Sequence, residues 1–146
     1  MGKSKLEALL ERVEKATGPN YNLEVEIAYV TGFWPEDRIE RVVRSENGAF
    51  TVWFSNDGPS LPLPPNSTAS IDAALALVER VLPGWTHGHQ KFPDGEVFNS
   101  GGYQFFVAED DADLDSGYAS GEAPTLPLAV LAAMLKALIA QEAANG

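Results

Sequence analysis

Apolar positions recur along the chain with two periods, and the changes of period mark its elements. Leu6, Leu9, Leu10 and Val13 share one helical face. Ser4 and Glu7 ahead of them have capping-box spacing, and Gly18-Pro19 stops the helix. A second stripe, Ile71, Ala74, Leu75, Val78, Val81 and Leu82, follows a Ser70 cap and ends at Pro83-Gly84. Asp72 sits in its first turn, where the helix dipole favours a carboxylate. A third helix is predicted from Thr125 to about Ala143 and is apolar nearly all round. That pattern means deep burial or a subunit interface.

The period of two appears between these helices. Residues 38–44 and 49–54 flank Asn47-Gly48, the pair that a two-residue type I′ turn wants. Pairing across that turn sets Val43 opposite Val52, Arg41 opposite Phe54, and Val42 against Trp53. A competing reading makes residues 36–44 a short helix, because Ile39, Val42 and Val43 also have helical spacing. Trp85 to Lys91 reads as a strand with Trp85, His87, His89 and Lys91 on one side. Glu96 to Phe98 and Tyr103 to Ala108 read as a hairpin around 99–102. Residues 21–31 fit both periods: Leu23, Val25, Ile27 and Tyr29 alternate, while Leu23, Ile27 and Val30 make a helical stripe. Ala28, an Asn20 or Asn22 cap and a Gly32 stop favour the helix. Gly58 to Pro65 holds four prolines and is an extended connector, although its PxxP spacings also suit an SH3-like module. Asn66-Ser67-Thr68 matches a glycosylation acceptor, which carries no weight without a secretion signal. Helices at both ends and in the middle, with antiparallel hairpins between, predict an α+β domain over residues 1–146. Its antiparallel sheet is covered by helices on both faces, an αβα sandwich.

Composition narrows the function classes. Hydrophobic residues make up 45% and charged residues 21%, enough for a packed core. The absence of cysteine excludes disulfides, iron–sulfur clusters and thiol nucleophiles. Ten Lys+Arg against 21 Asp+Glu give a formal charge of −11, which opposes direct binding to a nucleic-acid backbone. The N-terminal segment lacks the apolar run of a signal peptide, and Leu126 to Ala140 is shorter than the roughly 20 residues that span a bilayer. A soluble, cytoplasmic protein is expected.

Pro64-Pro65-Asn66-Ser67-Thr68-Ala69-Ser70-Ile71-Asp72-Ala73-Ala74-Leu75-Ala76-Leu77-Val78, with Pro83-Gly84-Trp85 beyond it, resembles a segment of the phage ABA sandwich domain family of small phage and prophage proteins. Gly32-Phe33-Trp34-Pro35, the segment Ala123 to Ala129 and Leu135-Lys136-Ala137 are similar too, while Glu79 to Leu82 looks like an insertion. The resemblance implies a fold and a phage origin, and it brings neither catalytic residues nor an activity.

Three groups could carry chemistry. Asp111, Asp113 and Asp115 occupy positions 1, 3 and 5 of a twelve-residue calcium loop, with Glu122 at position 12. Position 6 is Ser116 where Gly is expected, and the preceding segment reads as a strand, so a solvated acidic loop is the blander alternative. His87 and His89 point the same way on a strand and could share a metal, although no third ligand is identifiable. Trp34, Arg38, Trp53, Trp85, His87, His89 and Lys91 combine rings that stack on bases with cations that pair with phosphates. They could line a nucleotide pocket, or the rings could simply be core. No nucleophile elbow, phosphate loop or HExxH motif is present, and neither an enzyme nor a cofactor is expected. The expected function is a phage-type accessory binding protein, of a counter-defence kind, that sequesters a host signalling nucleotide or blocks a host protein. The alternative is an acidic DNA mimic acting on a host nucleic-acid-binding protein. The apolar perimeter of the last helix favours a homodimer.

Overall fold

The computed structural model describes residues 5–46, 49–92, 102–109 and 117–145. The chain is α+β, with helices flanking antiparallel sheets. In order, the elements are α1 (Lys5–Lys15), α2 (Tyr21–Val30), a 3₁₀ turn (Glu36–Arg38), β1 (Ile39–Arg44), β2 (Phe50–Phe54), α3 (Ile71–Val81), β3 (Thr86–Phe92), β4 (Gly102–Ala108), β5 (Tyr118–Ala123) and α4 (Leu126–Asn145). The strands divide into two sheets, β1-β2 and β3-β4-β5.

The ambiguous segment 21–31 is helical, and its mixed pattern has a physical cause. Six consecutive residues of α2, Leu23 to Ala28, are buried. Leu23 and Ile27 enter the main core with α1, α3, α4, β4 and β5. Val25 and Ala28 enter a second core with Trp34 and Phe50. A helix wedged between two cores is apolar on more than one side, so no single stripe stands out. Two carboxylates are buried with it, and both are partnered. Glu24 accepts from the Thr68 hydroxyl at 2.5 Å and from the Thr68 N–H at 3.3 Å. Glu26 takes Arg12 from α1 and Arg44 from β1 on the same Oε2, the latter at 2.5 Å. Asn20 caps α2, its side chain accepting from the Leu23 N–H at 3.1 Å.

The first hairpin forms where it is predicted, but its register is one residue off. Val42 faces Val52, Arg41 faces Trp53 and Val43 faces Thr51. The Ser45 N–H donates to the Ala49 carbonyl at 2.9 Å, and the Ser45 hydroxyl accepts from the Ala49 N–H at 3.1 Å. This closure leaves three residues, not two, between the paired ends. Asn47-Gly48 themselves lie outside the described residues. Residues 36–38 take a 3₁₀ turn and 39–44 a strand, which removes the competing helix.

The second sheet also differs in detail. The Glu96–Phe98 strand lies outside the described residues, and β4 pairs with β3 on one side and β5 on the other. Strand β5 is not predicted at all. Its sequence, YASGEA, is small and weakly strand-forming. The reason for small residues is α4. A Cβ built on Gly121 would lie 2.6 Å from the Ala133 nitrogen and 2.8 Å from the Ala129 carbonyl oxygen. Strand and helix therefore touch backbone to backbone.

Helix α4 is the centre of the main core, and Leu128 to Leu135 are all buried. It packs on β4 and β5 and is covered by α1 and α3. Much of the apolar perimeter that favours a second chain is thus buried within this one, while Leu126, Leu138 and Ile139 stay half-buried. The helix also runs past Ala140, so the window Leu126–Ala143 has the length and composition of a membrane span. Half of that window is buried inside the fold.

Candidate binding cleft

The proline-rich connector is not a free linker. A stretch with few N–H groups cannot pair its own carbonyls, so those carbonyls need donors from elsewhere. Arg38 and Trp34 supply them. The Arg38 guanidinium donates to the Ser55 carbonyl at 3.1 Å, the Pro59 carbonyl at 3.0 Å and the Ser55 hydroxyl at 3.3 Å. The Trp34 indole N–H donates to the Pro62 carbonyl at 2.9 Å. Gly58 makes room for this clamp, since a Cβ there would fall 2.8 Å from Nη1 of Arg38. The segment is pinned at two points as a strap beside the first hairpin.

Between the strap, β2 and the start of α2 lies a cleft of about 540 Å³. This volume is within the range of small-molecule sites. Val25, Phe50, Val52 and Phe54 form its floor with the edge of Trp34, and Leu61 to Pro64 form the strap wall. Tyr21 and Leu63 stand at the mouth, 60% and 79% exposed. The polar groups lining it are amides and hydroxyls (Asn22, Thr51, Ser55, Asn56 and Ser60), the Tyr21 phenol and Arg38.

The residues expected to form one nucleotide pocket are divided. Trp34 and Arg38 line the cleft, but Trp34 is only 4% exposed and sits edge-on to Phe54 at 5.0 Å. It is a core ring that anchors the strap, not an open stacking platform. Trp53 is 51% exposed on the other face of the hairpin, with the Arg41 guanidinium 5.2 Å above its ring. Trp85, His87, His89 and Lys91 belong to the other sheet or its approach. His87 and His89 are exposed on one face of β3, as the alternation implies, and His87 stacks on Phe105 at 5.4 Å. Lys91 lies 5.7 Å from the Tyr103 ring centre. Trp85 packs on the main core.

Of the metal candidates, Asp111, Asp113 and Asp115 lie outside the described residues, and Glu122 is on β5 opposite Gln104. Among the described residues, no three His, Asp or Glu side chains gather as a metal site. Ser67 and Thr68 of the glycosylation-like triplet are buried, and Thr68 is the partner of Glu24. The cleft residues missed in the sequence are Tyr21, Phe50, Leu61 and Leu63. The available signal was a proline segment carrying alternate leucines. Comparison with protein-family models, curated proteins and solved structures finds no match.

Proposed function

We propose that this chain is a non-catalytic binding protein and that the strap-walled cleft seats its ligand. The observation that carries this reading is the clamp, because a cleft with a pinned wall is formed before any ligand arrives. Such preorganisation lowers the ordering cost of binding. Among the described residues the cleft lining offers amides, hydroxyls and a guanidinium in place of a carboxylate, imidazole or amine, which favours binding over acid–base chemistry. Apolar walls with a few amides, hydroxyls and one guanidinium suit a flat ring system bearing polar edges, such as a nucleobase. The resemblance to phage proteins supports an accessory role of the counter-defence type in the host cytoplasm, with a signalling nucleotide as the ligand. A second reading, blockade of a host protein, draws on exposed Trp53 beside Arg41, residue types enriched at binding hot spots.

The test is to purify the chain from phage-infected cells, denature it and identify co-purified small molecules by mass spectrometry. Retention by the parent and loss from Leu63→Asp supports the cleft. Leu63 is exposed, so the substitution changes stability by no more than about 0.5 kcal/mol. Equal retention by both chains, or loss from Trp53→Ala alone, defeats the cleft reading.

A further inference from the structure

A second cleft, of about 480 Å³, lies on the far side of Phe50, between α1, the end of α2 and the first hairpin. Its charge is opposite to that of the chain. Lys5 and Arg12 enter it from one face of α1, and Arg44 enters from β1. Among the described residues Glu26 is the single carboxylate in its lining, so those residues give it a net charge of +2 in a chain of −11. Lys15 flanks Arg12 in the adjoining depression around Glu26. We propose that this cleft binds an organic phosphate, with the phosphate among Lys5, Arg12 and Arg44 and the organic body on the apolar wall.

Four features point there. First, the buried Glu26 needs one cation and receives two guanidinium groups on the same oxygen. Both guanidinium side chains stay about a third exposed, 33% for Arg12 and 37% for Arg44, so Glu26 does not bury them. Second, Arg12 Nε is buried and has no acceptor among the described residues, so the guanidinium is incompletely satisfied by Glu26. Third, Arg presents planar donors suited to phosphate oxygens, and two Arg plus one Lys can engage a phosphate from several sides. Fourth, the rest of the wall is apolar and aromatic. Tyr29 and Phe50 lie 5.7 Å apart, with Lys5 5.7 Å from the first ring and Arg44 5.1 Å from the second. Val30 and Val42 extend that wall. A bare phosphate would leave most of the volume empty, so a phosphate carrying a ring fits better than inorganic phosphate.

Isothermal titration with phenyl phosphate, inorganic phosphate and phenol tests this on the full chain. Phenyl phosphate is expected to bind with a dissociation constant below about 1 mM, inorganic phosphate about tenfold more weakly, and phenol more weakly still. Added salt should weaken the phosphate term. Lys5→Gln alters an exposed side chain and should keep the fold while lowering affinity for phenyl phosphate about threefold to tenfold. Arg12→Lys keeps the charge, removes the planar donors and should lower it about tenfold. Leu63→Asp, in the other cleft, should leave phenyl phosphate binding unchanged. No heat at millimolar phenyl phosphate overturns the proposal. So does binding that Lys5→Gln and Arg12→Lys both leave intact, or binding that Leu63→Asp abolishes.

Discussion

Gly121→Ala adds one methyl group at the contact between β5 and α4. The new Cβ would lie 2.6 Å from the Ala133 nitrogen, 2.7 Å from the Ala132 Cβ and 2.8 Å from the Ala129 oxygen. Carbon contacts settle near 3.5–4.0 Å, so strand and helix must separate by roughly 1 Å. Two of the three atoms are α4 backbone, and no rotamer change relieves them. Overpacking costs roughly 1–3 kcal/mol, and the rigid neighbours put this site at the upper end, about 3 kcal/mol. For 146 residues the unfolding entropy is about 0.3 kcal/mol/K, so the melting temperature should fall by about 10 °C. Gly18→Ala is the control, because nothing lies within 4 Å of its Cβ. That change should be neutral or slightly stabilising, by up to about 1 kcal/mol, through the unfolded chain. Urea unfolding followed by tryptophan fluorescence, alongside calorimetry, reads both. A Gly121→Ala chain that melts with the parent would mean that β5 does not meet the α4 backbone.

Two further substitutions probe the joints around α2 and α3. Thr68→Val removes the hydroxyl that donates to buried Glu24, and the carboxylate keeps only the 3.3 Å backbone donor; a loss of about 3 kcal/mol is expected by urea titration. Ser70→Ala deletes the side chain that accepts from the Ala73 N–H at 3.2 Å at the start of α3, and should cost about 1 kcal/mol by the same measurement.

What the sequence made legible depended on how each element is buried. Helix α3 carries its cap in Ser70 and one apolar stripe, so its period and start are both readable. Helix α2 contacts two cores, and Glu24 and Glu26 interrupt its apolar run with buried charges that only partners far along the chain explain. Strand β5 hides because contact with α4 selects Ala and Gly over branched residues. The hairpin register followed from the Asn-Gly turn rule, and one extra loop residue shifts every pair. In the candidate site, Trp34 and Arg38 have chemistry suited to a ligand, yet their polar atoms hold the strap. The basic cleft joins Lys5, Arg12 and Arg44 from separate elements, a meeting that local spacing does not encode.

The position of α4 makes the main core depend on contacts that are distant in sequence. It follows every other described element, yet α1, α3, β4 and β5 all bury their apolar faces against it. The contact between α1 and α4 closes a loop of about 110 residues, from Lys15 to Leu126. During synthesis, Leu9, Val13 and Phe105 have no complete surface to bury against until Leu128 to Leu135 emerge. Long-range closure of this kind slows folding and prolongs exposure of apolar faces. Helix α4 is therefore the last-made surface of the main core, the one on which α1, α3, β4 and β5 complete their burial.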